Sequence, residues 1–192
     1  MTTSPSPTPS SPPAPGSPSP AVALVRRVES LGALDMIAPL LRAAGKPLSQ
    51  GALGDVLRGR PVGHAVHPFL TDLPIGFWTS SLVLDLVGGR GGRDSARRLV
   101  GWGLASAVPA ATSGLVEYRS LGTRDTRTGS LHAGLNTAAA ACYTASWVAR
   151  RRGRHGVGVL LGVLGASTAG VSGYLGGHLA IARKVGSVNP EL

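Results

Sequence analysis

The chain has 192 residues, of which 43% are hydrophobic and only 15% charged, with a formal net charge of +10. A soluble domain carries roughly 25% charged residues, and the mean hydropathy of +0.17 is reached despite a polar N-terminal tail. The arginines sit between apolar runs, where membrane proteins collect them, which argues against nucleic acid as a partner. The single Cys142 excludes an internal disulfide and a cysteine-built zinc or iron–sulfur site.

Residues 1–21 are almost wholly Ser, Thr, Pro, Ala and Gly. They have nothing to bury and are predicted to form a disordered, partly polyproline-like arm. They also lack the basic start and apolar core of a signal peptide. Between residues 22 and 44, apolar residues recur at Val25, Val28, Leu31, Leu34, Ile37 and Leu41, one stripe along a helix that Pro39 should kink or end. That amphipathic helix is too interrupted to span a bilayer and is expected on the membrane surface or against the rest of the chain. A polar, glycine-bearing connector completes the 22–62 segment.

Four spans are predicted, over 68–87, 99–116, 131–148 and 157–181. Pro74 and Pro109 lie inside spans, where neighbouring helices can satisfy the freed carbonyls. The last span carries two GxxxG spacings, Gly158/Gly162 and Gly173/Gly177, expected to serve tight internal packing. Residues 63–183 therefore read as an all-α, four-helix transmembrane bundle, followed by a C-terminal tail over 184–192. Arg90, Arg93, Arg97, Arg98 and Arg150, Arg151, Arg152, Arg154 on one face nearly tie with Arg58, Arg60, Arg119, Arg124, Arg127, Arg183 and Lys184 on the other, so orientation stays open, with the denser, shorter turns only tilting toward the cytoplasm.

With spans running alternately up and down, five polar groups gather at one membrane face. His64 and His67 begin the first span, His132 begins the third, His178 lies near the end of the fourth and Glu117 closes the second. Asp72 and Asn136 lie about one turn deeper, and only His155 is on the other side. Ionisable groups at such depth mark a function or a structural network. A ligating imidazole wants its second nitrogen held, and Asp72, Glu117 and Asn136 are the predicted holders.

The phrase from His64 to Trp78, followed by Leu84-Asp85-Leu-Val-Gly, resembles the opening of the bacterial membrane family called domain of unknown function 2231. His132-Ala-Gly-Leu-Asn136 and Gly173-Tyr-Leu-Gly-Gly-His178-Leu resemble its later motifs, so the likeness runs from about Leu24 to Arg183. It implies a multi-pass bacterial inner-membrane protein with no assigned activity. Some relatives carry a Rieske-type iron–sulfur domain, which implies electron transfer; here such a partner would be a separate protein. Two departures stand out: Ala65 where members often have proline, and Lys184-Val-Gly-Ser-Val-Asn where they often have Gly-Val-Gly-Val. Neither removes a histidine.

The expected function is a membrane redox component holding one haem b at that face. His67, His132 and His178 are the axial-ligand candidates, with His64 in reserve and a metal ion as the lesser option. The alternative is a membrane scaffold or anchor for a separate electron-transfer or envelope protein, in which the polar cluster is structural. No inverted repeat marks a transporter, and no nucleophile–base pair assigns an enzyme class.

Overall fold

The computed structural model describes residues 19–186, so the expected disordered arm up to residue 18 and the tail from 187 onward lie outside the described residues. Seven α-helices and no strand occur among those residues: α1 (Pro20–Ser30), α2 (Ala38–Gly45), α3 (Gly51–Arg58), α4 (His67–Val87), α5 (Arg93–Tyr118), α6 (Thr123–Arg151) and α7 (His155–Gly177). A wider π turn, His178–Ala182, continues α7.

The amphipathic stripe expected as one helix is two, parted by a 3-10 turn at Gly32–Met36. Gly32 weakens helical continuity there, and Pro39 falls in the first turn of α2, where its missing N–H costs nothing. The connector contributes α3, closed by Gly59 at φ 78°. Together α1–α3 form a cap on the end of α5 and the first turns of α6, with Val25 and Val28 buried. Arginines fasten the cap. Arg42 bonds the Thr126 hydroxyl at 3.1 Å, and Arg119 bonds the Arg42 carbonyl at 2.7 Å. Arg127 forks onto Asp35 at 2.9 and 2.7 Å while also donating to the Glu29 carbonyl.

Among the described residues three helices, not four, are long and apolar enough to cross a membrane: His67–Val87, Arg93–Tyr118 and the continuous His155–Ala182. The predicted span 131–148 lies within α6, whose 29 residues are ample in length. Its outward positions, however, are Gly134, Asn136, Thr137, Ala138, Ala141, Thr144 and Ala145, which carry little hydropathy. What small residues offer is close approach, and α6 packs along α7 and α5. The glycine reading also needs correction. Gly158 and Gly162 are buried against Arg150 and Ser146, but Gly173 and Gly177 have open space where a Cβ would stand.

Helices α4 and α5 form one hairpin and α6 and α7 a second; the hairpins meet along α5–α6 and α4–α7. This puts α4 and α6 on a diagonal of the bundle, and their larger side chains meet across it in three layers. Nearest the cap are His67 and His132. In the middle, Trp78 stacks on Tyr143 with ring centroids 4.0 Å apart. At the far end Arg150 holds Asp85 through two bonds of 2.8 and 2.5 Å, with both side chains 1% exposed. So complete a desolvation is tolerable only for a forked, charge-assisted pair, and Ser146 satisfies the remaining Nε of Arg150 at 3.2 Å. The outward faces of α4, α5 and α7 leave Phe69, Leu86, Trp102, Val108, Leu160 and Leu164 exposed, the surface a bilayer covers.

Candidate functional site

His67 opens α4, with Pro68 in the first turn, where proline favours helix entry. His132 comes nine residues into α6, because the first turns of that helix project into the cap. The two rings therefore lie at one level on opposite sides of the diagonal, their centroids 6.3 Å apart and their planes at 87°.

Each imidazole is anchored to the return helix of its own hairpin. His67 donates from Nδ1 to the Ala110 carbonyl at 2.8 Å, with the Ser113 hydroxyl 3.2 Å from the same nitrogen. His132 donates from Nδ1 to the Ser172 carbonyl at 2.8 Å, with the Ser172 hydroxyl 3.0 Å away and itself donating to the His132 carbonyl. A carbonyl can only accept, so both rings carry their proton on Nδ1 and turn Nε2 away from the anchor. The Asn136 amide donates to Nε2 of His132 at 3.0 Å. Each ring also rests on a glycine: a Cβ on Gly114 would stand 2.8 Å from Cε1 of His67, and one on Gly176 would stand 2.8 Å from Cε1 of His132.

The other predicted site residues are placed differently. His64 is exposed before the helix and bonds the Val62 carbonyl at 2.8 Å. His178, on the π turn, lies 3.7 Å from Glu29 of α1, on the side of the cap rather than of the pair, and its buried Nε2 has no hydrogen bond among the described residues. The Glu117 carboxylate lies against the backbone N–H of His67, and its Oε1 is buried without a hydrogen bond among the described residues. Asp72 is exposed and holds neither imidazole. Five residues along a helix is about 140° of rotation, so Asp72 turns away from the face that His67 occupies. Of the expected holders Asn136 does reach an imidazole, on Nε2 of His132, whereas both Nδ1 atoms are anchored by backbone carbonyls and serines. Nothing in the local sequence singles out Ala110 or Ser172, although glycines four residues after each, Gly114 and Gly176, mark the close approach.

Among the described residues no three His, Cys, Asp or Glu side chains converge as a metal cluster. The pair offers two nitrogen donors, the number of an axial haem set rather than the three or four of a zinc site. At the far end of the axis His155 lies 3.4 Å from Asp85 Oδ1, beside the ion pair.

No curated protein and no solved structure matches the chain. A family model described as a predicted membrane protein, DUF2231, matches residues 63–189, which include every helix from α4 to α7 and both histidines of the pair. With the greater part of its length matched and its apolar helices gathered in the matched region, the chain belongs to the DUF2231 family of predicted membrane proteins.

Proposed function

We propose that this is a multi-pass protein of the bacterial inner membrane whose working centre is the His67–His132 pair, a seat for one haem b in an electron-transfer role. The observation that carries this reading is the commitment of both Nδ1 atoms to carbonyls, which leaves each ring the neutral tautomer whose Nε2 can ligate iron. When bound, haem b supplies reversible one-electron chemistry. The chain's own part is to hold two imidazoles at fixed tautomer and to surround them with low-dielectric helices, both of which tune a haem potential. A separate electron-transfer protein, a Rieske-type one included, is the partner this role calls for. His64, bonded to the Val62 carbonyl, and His178, turned toward Glu29, are not ligands in this reading.

A second reading is favoured by one contact. The Asn136 amide on Nε2 of His132 completes a polar network that needs no ligand, and the chain is then a membrane scaffold whose cap meets a partner protein. Oxidised and reduced visible spectra of the detergent-solubilised protein, expressed with haem available, separate the two. A Soret band that shifts on reduction, near one haem per chain, is expected. Colourless protein that copurifies with a defined partner would replace the redox reading with the scaffold.

A further inference from the structure

Arg26, Glu29 and Ser30 stand at i, i+3 and i+4 and share one face of α1, while Val25 and Val28 turn inward and are buried. Thr123, Arg124 and Arg127 share a face at the start of α6 in the same way. Where the two helices meet, these six residues line an open cleft of about 800 Å³.

The lining is cationic, and its arginines are not equally committed. Arg127 is fixed: Nε and Nη2 hold Asp35 and Nη1 donates to the Glu29 carbonyl, which uses three of the five N–H groups of a guanidinium. Arg124 lies 3.9 Å from Oε2 of Glu29, beyond hydrogen-bond length, and its side chain is 70% exposed. Arg26 makes no hydrogen bond or ion pair among the described residues. With Asp35 neutralising Arg127, Arg26 and Arg124 stand against Glu29 and leave one positive charge. That is the complement of a single phosphodiester, whose free oxygens suit the planar fork of arginine.

Depth indicates where such a group comes from. The 21 residues of α4 make a helix about 31 Å long, close to the thickness of a hydrocarbon core. The core therefore begins at the level of His67 and His132. Arg127 comes five residues before His132 and Arg124 eight, about 7.5 and 12 Å further out. The headgroup layer is about 5–8 Å thick on each side, so Arg127 lies within it, and the long stem of Arg124 reaches it from the outer edge. Apolar surface continues below the cleft. His178 is 3.7 Å from Glu29, and deeper along α7 Tyr174 and Val171 are exposed.

We propose that this cleft is a binding site for one anionic phospholipid. Arg26, Arg124 and the uncommitted N–H groups of Arg127 hold its phosphodiester, and its acyl chains lie along the outward face of α7. The lipid bridges α1 and α6, so it fastens the cap to the bundle and both to the bilayer. A ligand that binds only the folded chain stabilises it. The site stands apart from the His67–His132 pair and does not depend on what that pair binds.

The test uses the full chain, delipidated in a non-ionic detergent, with phosphatidylglycerol, phosphatidylcholine or inorganic phosphate added. Tm is measured, and native mass spectrometry counts the lipid retained. Phosphatidylglycerol is expected to raise Tm and to stay bound at one molecule per chain. Phosphatidylcholine, whose ammonium cancels the charge, and inorganic phosphate, which has no chains, should each bind at least tenfold more weakly. Arg26→Gln with Arg124→Gln changes two exposed side chains outside the packed core, and should weaken phosphatidylglycerol at least tenfold. Arg27→Gln with Arg60→Gln removes the same charge from the cap outside the cleft and should bind as the wild type does. Equal retention by the cleft variant and the wild type, or an equal loss in the second variant, would overturn the site. An equal response to phosphatidylcholine or to inorganic phosphate would overturn the anionic lipid as its occupant.

Discussion

Two glycines three residues apart on α7 have opposite roles. A Cβ on Gly176 would meet the His132 ring at 2.8 Å, whereas one on Gly173 would meet nothing within 4 Å. Gly176→Ala must therefore push the imidazole off the Ser172 carbonyl, an overpacking that costs about 1–3 kcal/mol. Gly173→Ala only trades backbone freedom for helix propensity, a gain of about 0.5–1 kcal/mol. Thermal unfolding in detergent should show Tm falling in the first variant and rising slightly in the second; equal shifts would count against the packing described for His132. The same scale explains which site residues were legible. Counting spans brings His67 and His132 to one level, and it does so correctly. It also brings His64 and His178 there, because level is all that span counting reports. Which way each ring turns depends on local geometry: the chain entering α4 ties His64 to Val62, and the π turn swings His178 toward Glu29.

At the scale of elements, the cap is held by charge where the bundle is held by packing. Asp35 and Arg127 are the clearest case. The Arg127 guanidinium, bonded through Nε and Nη2, holds the Asp35 carboxyl below its ordinary value of 3.8. A carboxyl depressed in the folded state adds stability that is fully present above its unfolded value and is lost as pH falls through the folded one. The Tm difference between wild type and Asp35→Asn should accordingly be positive at neutral pH and shrink toward zero as pH drops below 3.8. A difference independent of pH would mean that the pair does not fasten the cap. The amphipathic stripe of the N-terminal segment predicted a helix and a buried face. It did not predict the break after Ser30, since the spacing of valines and leucines continues through the 3-10 turn. That break follows from Gly32 and Pro39 together with the arginines that reach in from the middle of the sequence, Arg119 and Arg127.

For the whole molecule, the two ends of the bundle differ in how their charges are used. At the capped end Arg42, Arg119, Arg127 and Arg183 are bound to carbonyls and carboxylates of the chain itself. At the other end Arg90, Arg93, Arg151, Arg152 and Arg154 crowd two short turns, with Asp94 taken by Arg97 and Arg98. The excess of Lys and Arg in cytoplasmic loops would put this end inside, an expectation that labelling tests. In a Cys142→Ser background, a cysteine at Gly91 should resist a membrane-impermeant maleimide in intact cells, while one at Lys184 should react; the reverse pattern would invert the topology.

Composition and the spacing of apolar runs were enough to establish a helical membrane protein, the positions of α4 and α7 within a few residues (α5 and α6 begin well before the predicted spans), and one end rich in histidine. These are properties of the chain read a turn at a time, and hydropathy and helical period act at that range. Tertiary structure decided that α6, too weak in hydropathy to be a span by itself, belongs to the bundle through its small residues. It decided that Trp78 meets Tyr143 and that Asp85 meets Arg150. It also decided that of four gathered histidines only His67 and His132 face one another. Side chains from distant parts of the chain are paired by packing across the bundle and not by any signal along it.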